Sequence, residues 1–189
     1  MPRLFTGIEL PEHVRMALAR LKQPIPGAKW VEPENLHLTL RFAGDIDKQV
    51  ASEFAHFLGG IECHVFEMRL SGLGAFGGND PRTLWAGVDA GQELTTLARA
   101  HERAARAAGL PPEARNFKPH ITIARLKHTR VEVVARFLER HGAFRTEPFA
   151  VGRFALFSSK PRVGGGPYAV EAAFPLRGGQ YVDYADHEA

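Results

Sequence analysis

Two histidines stand in the same short frame. His37-Leu38-Thr39-Leu40 and His120-Ile121-Thr122-Ile123 both read histidine, aliphatic, threonine, aliphatic. In a β-strand successive side chains point to opposite faces. Each copy would therefore show an imidazole and a hydroxyl on one face and two aliphatic anchors on the other. Imidazole titrates near neutrality, so of two rings facing one cleft, one can accept a proton while the other donates one. A hydroxyl two residues on can hold a phosphoryl oxygen. Such a set suits displacement at phosphorus without a metal. A single histidine in a strand is more often a packed or surface residue than a catalyst. The repeated frame separates this pair from His13, His56, His64, His101, His128, His141 and His187, which read as structural or exposed.

The surrounding pattern supplies elements to carry both copies. Residues 3–10 read as a strand, and Pro11 opens a helix with Val14, Leu18 and Leu21 at helical spacing. Pro24 to Gly27 breaks it, and Pro33-Glu34-Asn35 turns the chain into a first motif strand, Leu36 to Ala43. Asp47 is placed to cap a helix bearing Val50, Phe54, Phe57 and Leu58, which ends at Gly59-Gly60. Strand character runs from Cys63 to Phe76 and again over Leu84 to Val88. A long helix follows, about 93–108, with Leu94, Leu97, Ala98, His101 and Ala105 on one face. Pro111, Pro112 and Pro119 frame the loop into the second motif strand, His120 to Leu126. Thr129 is expected to cap the next helix, with Val133, Val134, Phe137 and Leu138 inward. Two strands, Phe149 to Ser158 and Tyr168 to Phe174, close the pattern. Trp30 and Trp85 read as core.

Each motif strand is followed by a turn and an amphipathic helix, and the histidines lie 120 − 37 = 83 residues apart, near half the chain. That is the signature of a duplicated unit. The expected fold is α+β: residues 1–189 as one domain of two lobes, each a mostly antiparallel sheet with outer helices, around a central cleft. The polar stretch at about 178–189 is expected to be loose.

Composition narrows the function classes. At 189 residues the chain buries enough surface to need no disulfide or metal staple. Its one cysteine, Cys63, permits no intrachain disulfide and no cysteine-rich zinc site, in keeping with a cytoplasmic location. No apolar run approaches the roughly 20 residues needed to span a bilayer, and the first residues do not read as a secretion signal. There is no GxxxxGK[ST] loop, HExxH motif or EF-hand spacing; Glu32, Glu34, Asp45 and Asp47 read as turn and cap residues. The net charge of +3 is compatible with an RNA or phosphate ligand.

The chain resembles the 2H phosphoesterase superfamily, and within it the bacterial and archaeal RNA 2′,3′-cyclic phosphodiesterases, also called 2′-5′ RNA ligases (LigT-like). The resemblance covers nearly the whole chain. It is carried by Arg3-Leu4-Phe5 with Ile8-Glu9-Leu10-Pro11, by Asn35 to Gly44 around the first motif, and by Leu84 to Val88. Phe117 to Arg125 around the second motif, and Leu156-Phe157-Ser158-Ser159 with a glycine-rich turn and Tyr168, complete it. It implies a bilobal fold, no metal, and an RNA end or nucleotide bearing a 2′,3′-cyclic phosphate as substrate; the chain is further expected to use no cofactor, to bind no membrane and to be a monomer. It also implies roles. His37 would protonate the leaving 3′ oxygen, His120 would activate water, and Thr39 and Thr122 would hold phosphate oxygens. The product would be a 2′-phosphomonoester, and the reverse step with a 5′-hydroxyl RNA end would be 2′-5′ ligation. Arg125 matches a family phosphate contact.

Several points stay open at this level. Strand parity turns Arg125 away from the face of His120 and Thr122, unless the strand ends or bulges first. Arg41 has the cleft-facing parity but no place in the family pattern. Tyr168 and the Gly164–Gly166 turn either cover a base or ribose or form a hairpin tip with a core tyrosine. Phe5 and Phe76 either stack on a base or pack in the core. Two other functions compete: a nucleotide- or RNA-binding module without turnover, and a cyclic phosphodiesterase acting on ADP-ribose 1″,2″-cyclic phosphate or a 2′-5′ oligonucleotide.

Overall fold

Leu4, Phe5, Thr6, Gly7 and Ile8 are all buried, so the first strand, β1 (Arg3–Glu9), is covered on both faces and by neighbours on both edges. The computed structural model, which describes residues 1, 3–160 and 164–178, places β1 inside a four-stranded antiparallel sheet. The helix α1 (Glu12–Ala19) follows, then a three-residue strand β2 (Ala28–Trp30) and a single 3-10 turn at Pro33–Asn35. The first motif strand is β3 (His37–Asp45), followed by α2 (Lys48–Gly59), β4 (Phe66–Phe76), β5 (Thr83–Ala90) and α3 (Gln92–Ala107). The second motif strand is β6 (His120–Leu126), followed by α4 (Val131–His141), β7 (Phe149–Val151), β8 (Arg153–Ser159) and β9 (Ala169–Pro175).

One sheet has the order β3-β1-β8-β9 and the other β2-β6-β5-β4-β7. The neighbours pair antiparallel throughout. The two motif strands thus belong to different sheets, and the sheets meet where β3 approaches β6. The α+β expectation holds, but the chain does not finish one sheet before starting the other. It leaves β1 for β2, returns for β3, and crosses again at Gly152, where the expected strand 149–158 divides into β7 of one sheet and β8 of the other. The four-stranded sheet is backed by α2 and α3; α4 packs on β4 and, through Phe137, on Trp30.

Amphipathic spacing explains the helices. Helix α2 is capped by Asp47, whose carboxylate accepts the Val50 N–H at 2.8 Å, and it buries Phe54 and Leu58. Truncating a fully buried phenylalanine such as Phe54 costs about 3–5 kcal/mol. Helix α3 buries Leu94, Leu97, Ala98, His101, Ala104 and Ala105, and α4 buries Val134 and Phe137. The helical faces match the sequence expectation except at Phe57, which the spacing places on the inward face of α2 and which is 40% exposed, and at one cap. Thr129 does not cap α4; Arg130 holds that position without a side-chain bond, while the Thr129 hydroxyl donates to the Pro26 carbonyl at 2.8 Å. Side chains from both sheets form the main core, and Phe5, Ala155 and Phe157 make a second, smaller cluster against which Tyr168 packs. The expected loose tail lies outside the described residues except for Gly178. Among the described residues no helix is long and apolar enough to cross a membrane.

Candidate active site

Both motif strands carry the same irregularity at the same place. On β3, Thr39 pairs with Gly7 and Arg41 with Thr6, which leaves Leu40 without a partner on β1. On β6, Thr122 pairs with Trp85 and Ala124 with Leu84, which leaves Ile123 without a partner on β5. Each is a bulge at the last residue of its His-x-Thr-x frame, and an extra residue reverses the alternation of faces beyond it. His37 and Thr39 keep the cleft face while Leu38 and Leu40 enter the core; His120 and Thr122 do the same against Ile121 and Ile123. Past the bulge the fourth residue from the histidine turns inward and the fifth turns outward. Arg41 and Ala124 are buried, whereas Phe42 and Arg125 are exposed.

This resolves both arginines. Arg125 reaches the cleft after all, because the strand bulges before it. Arg41 does not. Its guanidinium donates to Glu102 at 2.6 Å, to the Phe42 carbonyl at 2.6 Å and to the Pro111 carbonyl at 2.5 Å, so it ties β3 to α3 and to the loop ahead of β6. Against a desolvation cost that acts the other way, the Glu113 N–H, Arg106 and Arg41 hold the Glu102 carboxyl below its ordinary pKa.

A cleft of about 430 Å³ between the sheets brings the motif residues together: His37, Thr39, His120, Thr122 and Arg125, with Tyr168 at its side. Its other walls include Arg3, Phe5, Asn35, Phe42, Ser159 and the Gly164-Gly165 tip. That volume is in the range of nucleotide-sized sites. A larger open groove of about 990 Å³ runs between α2 and α3, lined by Phe57, Cys63, Leu97 and Arg103 among others, and holds none of the motif residues. The chemistry-bearing groups converge on the smaller cleft.

The two rings are held alike. His37 Nδ1 lies 2.7 Å from the Asn35 carbonyl and His120 Nδ1 lies 2.6 Å from the Lys118 carbonyl, in each case two residues upstream. A carbonyl can only accept, so both Nδ1 atoms carry hydrogen and both Nε2 atoms are left for the cleft. Each ring also rests on a phenylalanine: Phe5 is 4.8 Å from His37, and Phe76 meets His120 edge-on at 5.0 Å. Gly7 lets β1 come this close, since a Cβ there would sit 2.6 Å from the Leu38 carbonyl oxygen and 3.5 Å from the His37 ring.

The resemblance between the rings ends at their enclosure. His37 is boxed by Phe5, by Phe157 at 5.9 Å and by Tyr168, edge-on at 5.2 Å. Burial therefore drives its pKa down to about 4; the Asn35 carbonyl works against that, and the charges of Arg125 and His120 add to it. Near neutral pH the ring is uncharged, and Nε2 accepts from the Thr39 hydroxyl at 2.9 Å. Tyr168 is held in place by its own N–H, which donates to Asn35 Oδ1 at 3.2 Å. The same Asn35 side chain occupies the space that a Cβ on Gly166 would need. Asn35 thus fixes His37 with its backbone and the β8–β9 hairpin with its side chain.

Phe5 is a core residue that packs on the motif ring of His37, and Phe76 is half-buried between His120 and Trp85. Trp30 packs against the core as expected. Trp85 does not: it stands opposite Thr122 on the cleft side of its sheet, half-buried over Gly74, whose missing side chain makes room for the indole. Asn35, Arg3 and Phe42 line the cleft without being marked as site residues by the motif frame. Aligning the two motifs on their histidines pairs Phe42 with Arg125 and is the signal that flags both.

With this geometry in place, three comparisons bear on the chain. A family model described as LigT like Phosphoesterase matches residues 8–85 and 87–168. An RNA 2′,3′-cyclic phosphodiesterase of Aquifex aeolicus (strain VF5) is 33% identical over 184 residues, covering 93% of this chain and 98% of the relative. The crystal structure of a Thermus thermophilus protein superposes with a TM-score of 0.77 at 29% identity, covering 94% of this chain and 100% of that one. The crystal structure of E. coli LigT complexed with 3′-AMP superposes with a TM-score of 0.76 at 26% identity, covering 94% and 99%.

Proposed function

The chain belongs to the LigT-like phosphoesterases of the 2H superfamily, and on that premise we propose that it hydrolyses RNA or nucleotide 2′,3′-cyclic phosphates to 2′-phosphomonoesters, as one two-lobed unit, with His37 and His120 as its acid–base pair. The observation that carries this reading is the pair of Nε2 atoms, each freed by a backbone carbonyl at Nδ1, on two strands that face one nucleotide-sized cleft. The name of the Aquifex aeolicus relative supports the substrate class.

The chemistry follows from the groups present. The cyclic phosphate sits between the two strands. Thr122 donates to a non-bridging oxygen, the Thr39 hydroxyl turns from His37 Nε2 to donate to another when the phosphate is bound, and Arg125 neutralises the charge that grows on them in the transition state. One imidazole takes a proton from water, whose oxygen attacks phosphorus. The P–O3′ bond breaks, and the other imidazolium delivers its proton to the departing 3′ oxygen, which leaves the phosphate on the 2′ position. With a 5′-hydroxyl RNA end in place of water, one imidazole takes the hydroxyl proton as its oxygen attacks phosphorus, the P–O3′ bond breaks as before, and the product is a 2′-5′ phosphodiester, which is ligation.

The family resemblance gives the acid to His37 and the base to His120. The enclosure of His37 supports the opposite division. A ring held neutral, accepting from Thr39 at Nε2, starts the cycle ready to take a proton. His120, on the open side of the cleft, is then the donor.

The test is hydrolysis of 2′,3′-cyclic AMP in buffer containing EDTA. The wild-type protein is expected to turn over, and His37→Ala and His120→Ala each to lose about 10²–10⁴-fold in kcat with an unchanged circular dichroism spectrum. Full activity in either variant refutes the pair. Binding of 2′-AMP without turnover by the wild type points instead to a binding module, and faster turnover of ADP-ribose 1″,2″-cyclic phosphate reassigns the substrate.

A further inference from the structure

The two halves of the cleft are alike up to the bulge and differ in the residue the bulge turns outward. On β6 it is Arg125, a cation, with Lys29 beside it across the β2–β6 ladder. On β3 it is Phe42, an aromatic ring that is 39% exposed at the cleft wall. An exposed phenylalanine forgoes burial that its neighbours in β3 obtain, and it is the one large exposed apolar side chain of the described residues that lines this cleft. It is also held in place. Arg3 stands over its ring, with the guanidinium carbon 5.0 Å from the centroid, and Arg3 in turn donates to Asp45 at 3.3 Å. Gly44, with φ +79°, comes close to the ring where a larger residue would be strained, its Cβ position lying 3.6 Å from the ring edge. The Gly164 tip approaches Arg3 from the other hairpin; a Cβ there would be 3.3 Å from Nε.

A nucleoside cyclic phosphate has one anionic end and one flat, apolar, π-faced end. The cleft offers a cation on one strand and a flat ring under a flat cation on the other. We propose that Phe42, braced by Arg3, is the surface on which the nucleobase of the cyclic-phosphate nucleotide stacks, so that the substrate lies across the two sheets with its phosphate toward Arg125 and its base toward Phe42. This rests on the functional reading above. Stacking on a phenylalanine tolerates any base, because every base has a π-face, so the surface selects for a nucleotide over a base-free cyclic phosphate without choosing among bases.

The experiment compares kcat and KM on 2′,3′-cyclic AMP and on base-free glycerol 1,2-cyclic phosphate for the wild type, Phe42→Ala and Phe42→Trp. Phe42→Ala is expected to raise KM for 2′,3′-cyclic AMP on the order of tenfold with little change in kcat, and to leave the glycerol substrate unaffected. Phe42→Trp is expected to keep the wild-type KM, which a purely structural role for Phe42 does not require. Equal losses on both substrates, or a fall in kcat with KM unchanged, overturn the stacking surface while hydrolysis by the wild type stands. Failure of the wild type to hydrolyse either substrate removes the functional reading, and this inference with it.

Discussion

Arg41 and Arg125 sit on matching strands, one residue apart in their offset from the motif histidine, and the bulge between sends them to opposite faces. Arg41 closes a knot of three bonds behind β3, and Arg125 opens onto the cleft. Their substitutions should therefore separate stability from catalysis. Arg41→Met takes one of its three donors from Glu102 and removes the guanidinium bonds to the Phe42 and Pro111 carbonyls, and it is expected to cost about 2–3 kcal/mol in urea unfolding, with kcat/KM for 2′,3′-cyclic AMP within about threefold of wild type. Arg125→Ala should do the reverse: unfolding midpoint kept, kcat/KM lowered at least about tenfold. A stable, inactive Arg41→Met protein would place Arg41 in the chemistry.

The contacts of Tyr168 are made by its ring, so its effect on activity is expected to come from the ring rather than from the hydroxyl. Its edge closes the box around His37 and packs on Phe5 at 5.0 Å, while its backbone is tied to Asn35. Tyr168→Phe keeps that edge and should retain activity within about twofold. Tyr168→Ala admits water to the ring, and the His37 pKa should rise from about 4 toward its ordinary 6.5. NMR titration of the His37 ring proton checks this directly; a value that stays near 4 in Tyr168→Ala would show that Tyr168 does not enclose the ring.

How far the site is legible in sequence follows from which interactions are local. The cleft-facing parity of His37 with Thr39, and of His120 with Thr122, needs only two residues of regular strand and is readable. The bulges are not. Leu40 and Ile123 are ordinary strand residues, and what makes them bulge is their pairing with β1 and β5, far away in sequence. For that reason the local pattern leaves Arg125 with two readings and points Arg41 to the wrong face. Thr129 fails as a cap for a similar cause: its hydroxyl finds the Pro26 carbonyl, 103 positions earlier. The strand 149–158 looks continuous because Phe149 to Ser158 is largely apolar, and only the sheets show that Gly152 marks a crossing. The helices are legible almost residue for residue, since a core-facing stripe is written in local spacing.

Two imidazoles, His101 in the core and the half-buried His37 at the cleft, set an acid limit on the fold. His101 is fully buried, its Nδ1 2.8 Å from the Thr6 hydroxyl and its Nε2 without a partner among the described residues, and burial lowers its pKa to about 3. His37 is lowered to about 4. Both groups are more basic in the unfolded chain, near 6.5. Above that pH neither state binds these protons and stability is unaffected by them. Below it the unfolded chain takes up protons the native state refuses, so stability falls as pH falls, by up to about 1.4 kcal/mol per pH unit for each histidine, until the native pKa is reached. Between about pH 6 and 5 the carboxylates contribute little, and urea midpoints should drop steadily. His101→Gln should lessen that slope by one proton whatever its absolute stability. An unchanged slope would mean that His101 protonates without unfolding.

The division of labour between His37 and His120 can be read from two independent measurements. A base must be unprotonated to act, so if His37 is the base, the acid limb of the kcat/KM profile belongs to it, and activity should fall on acidification only as the pH nears 4. If His37 were the acid, the competent form would already be lost above pH 4, and only about a thousandth of it would remain at pH 7. The second measurement replaces the 3′ bridging oxygen of the cyclic phosphate with sulfur. A thiolate leaves without a proton, so loss of the general acid matters little on that substrate, whereas loss of the general base matters as before. His120→Ala is expected to recover most of the wild-type rate on the 3′-thio substrate, and His37→Ala to stay inactive. Recovery by His37→Ala instead would restore the assignment that the family resemblance implies.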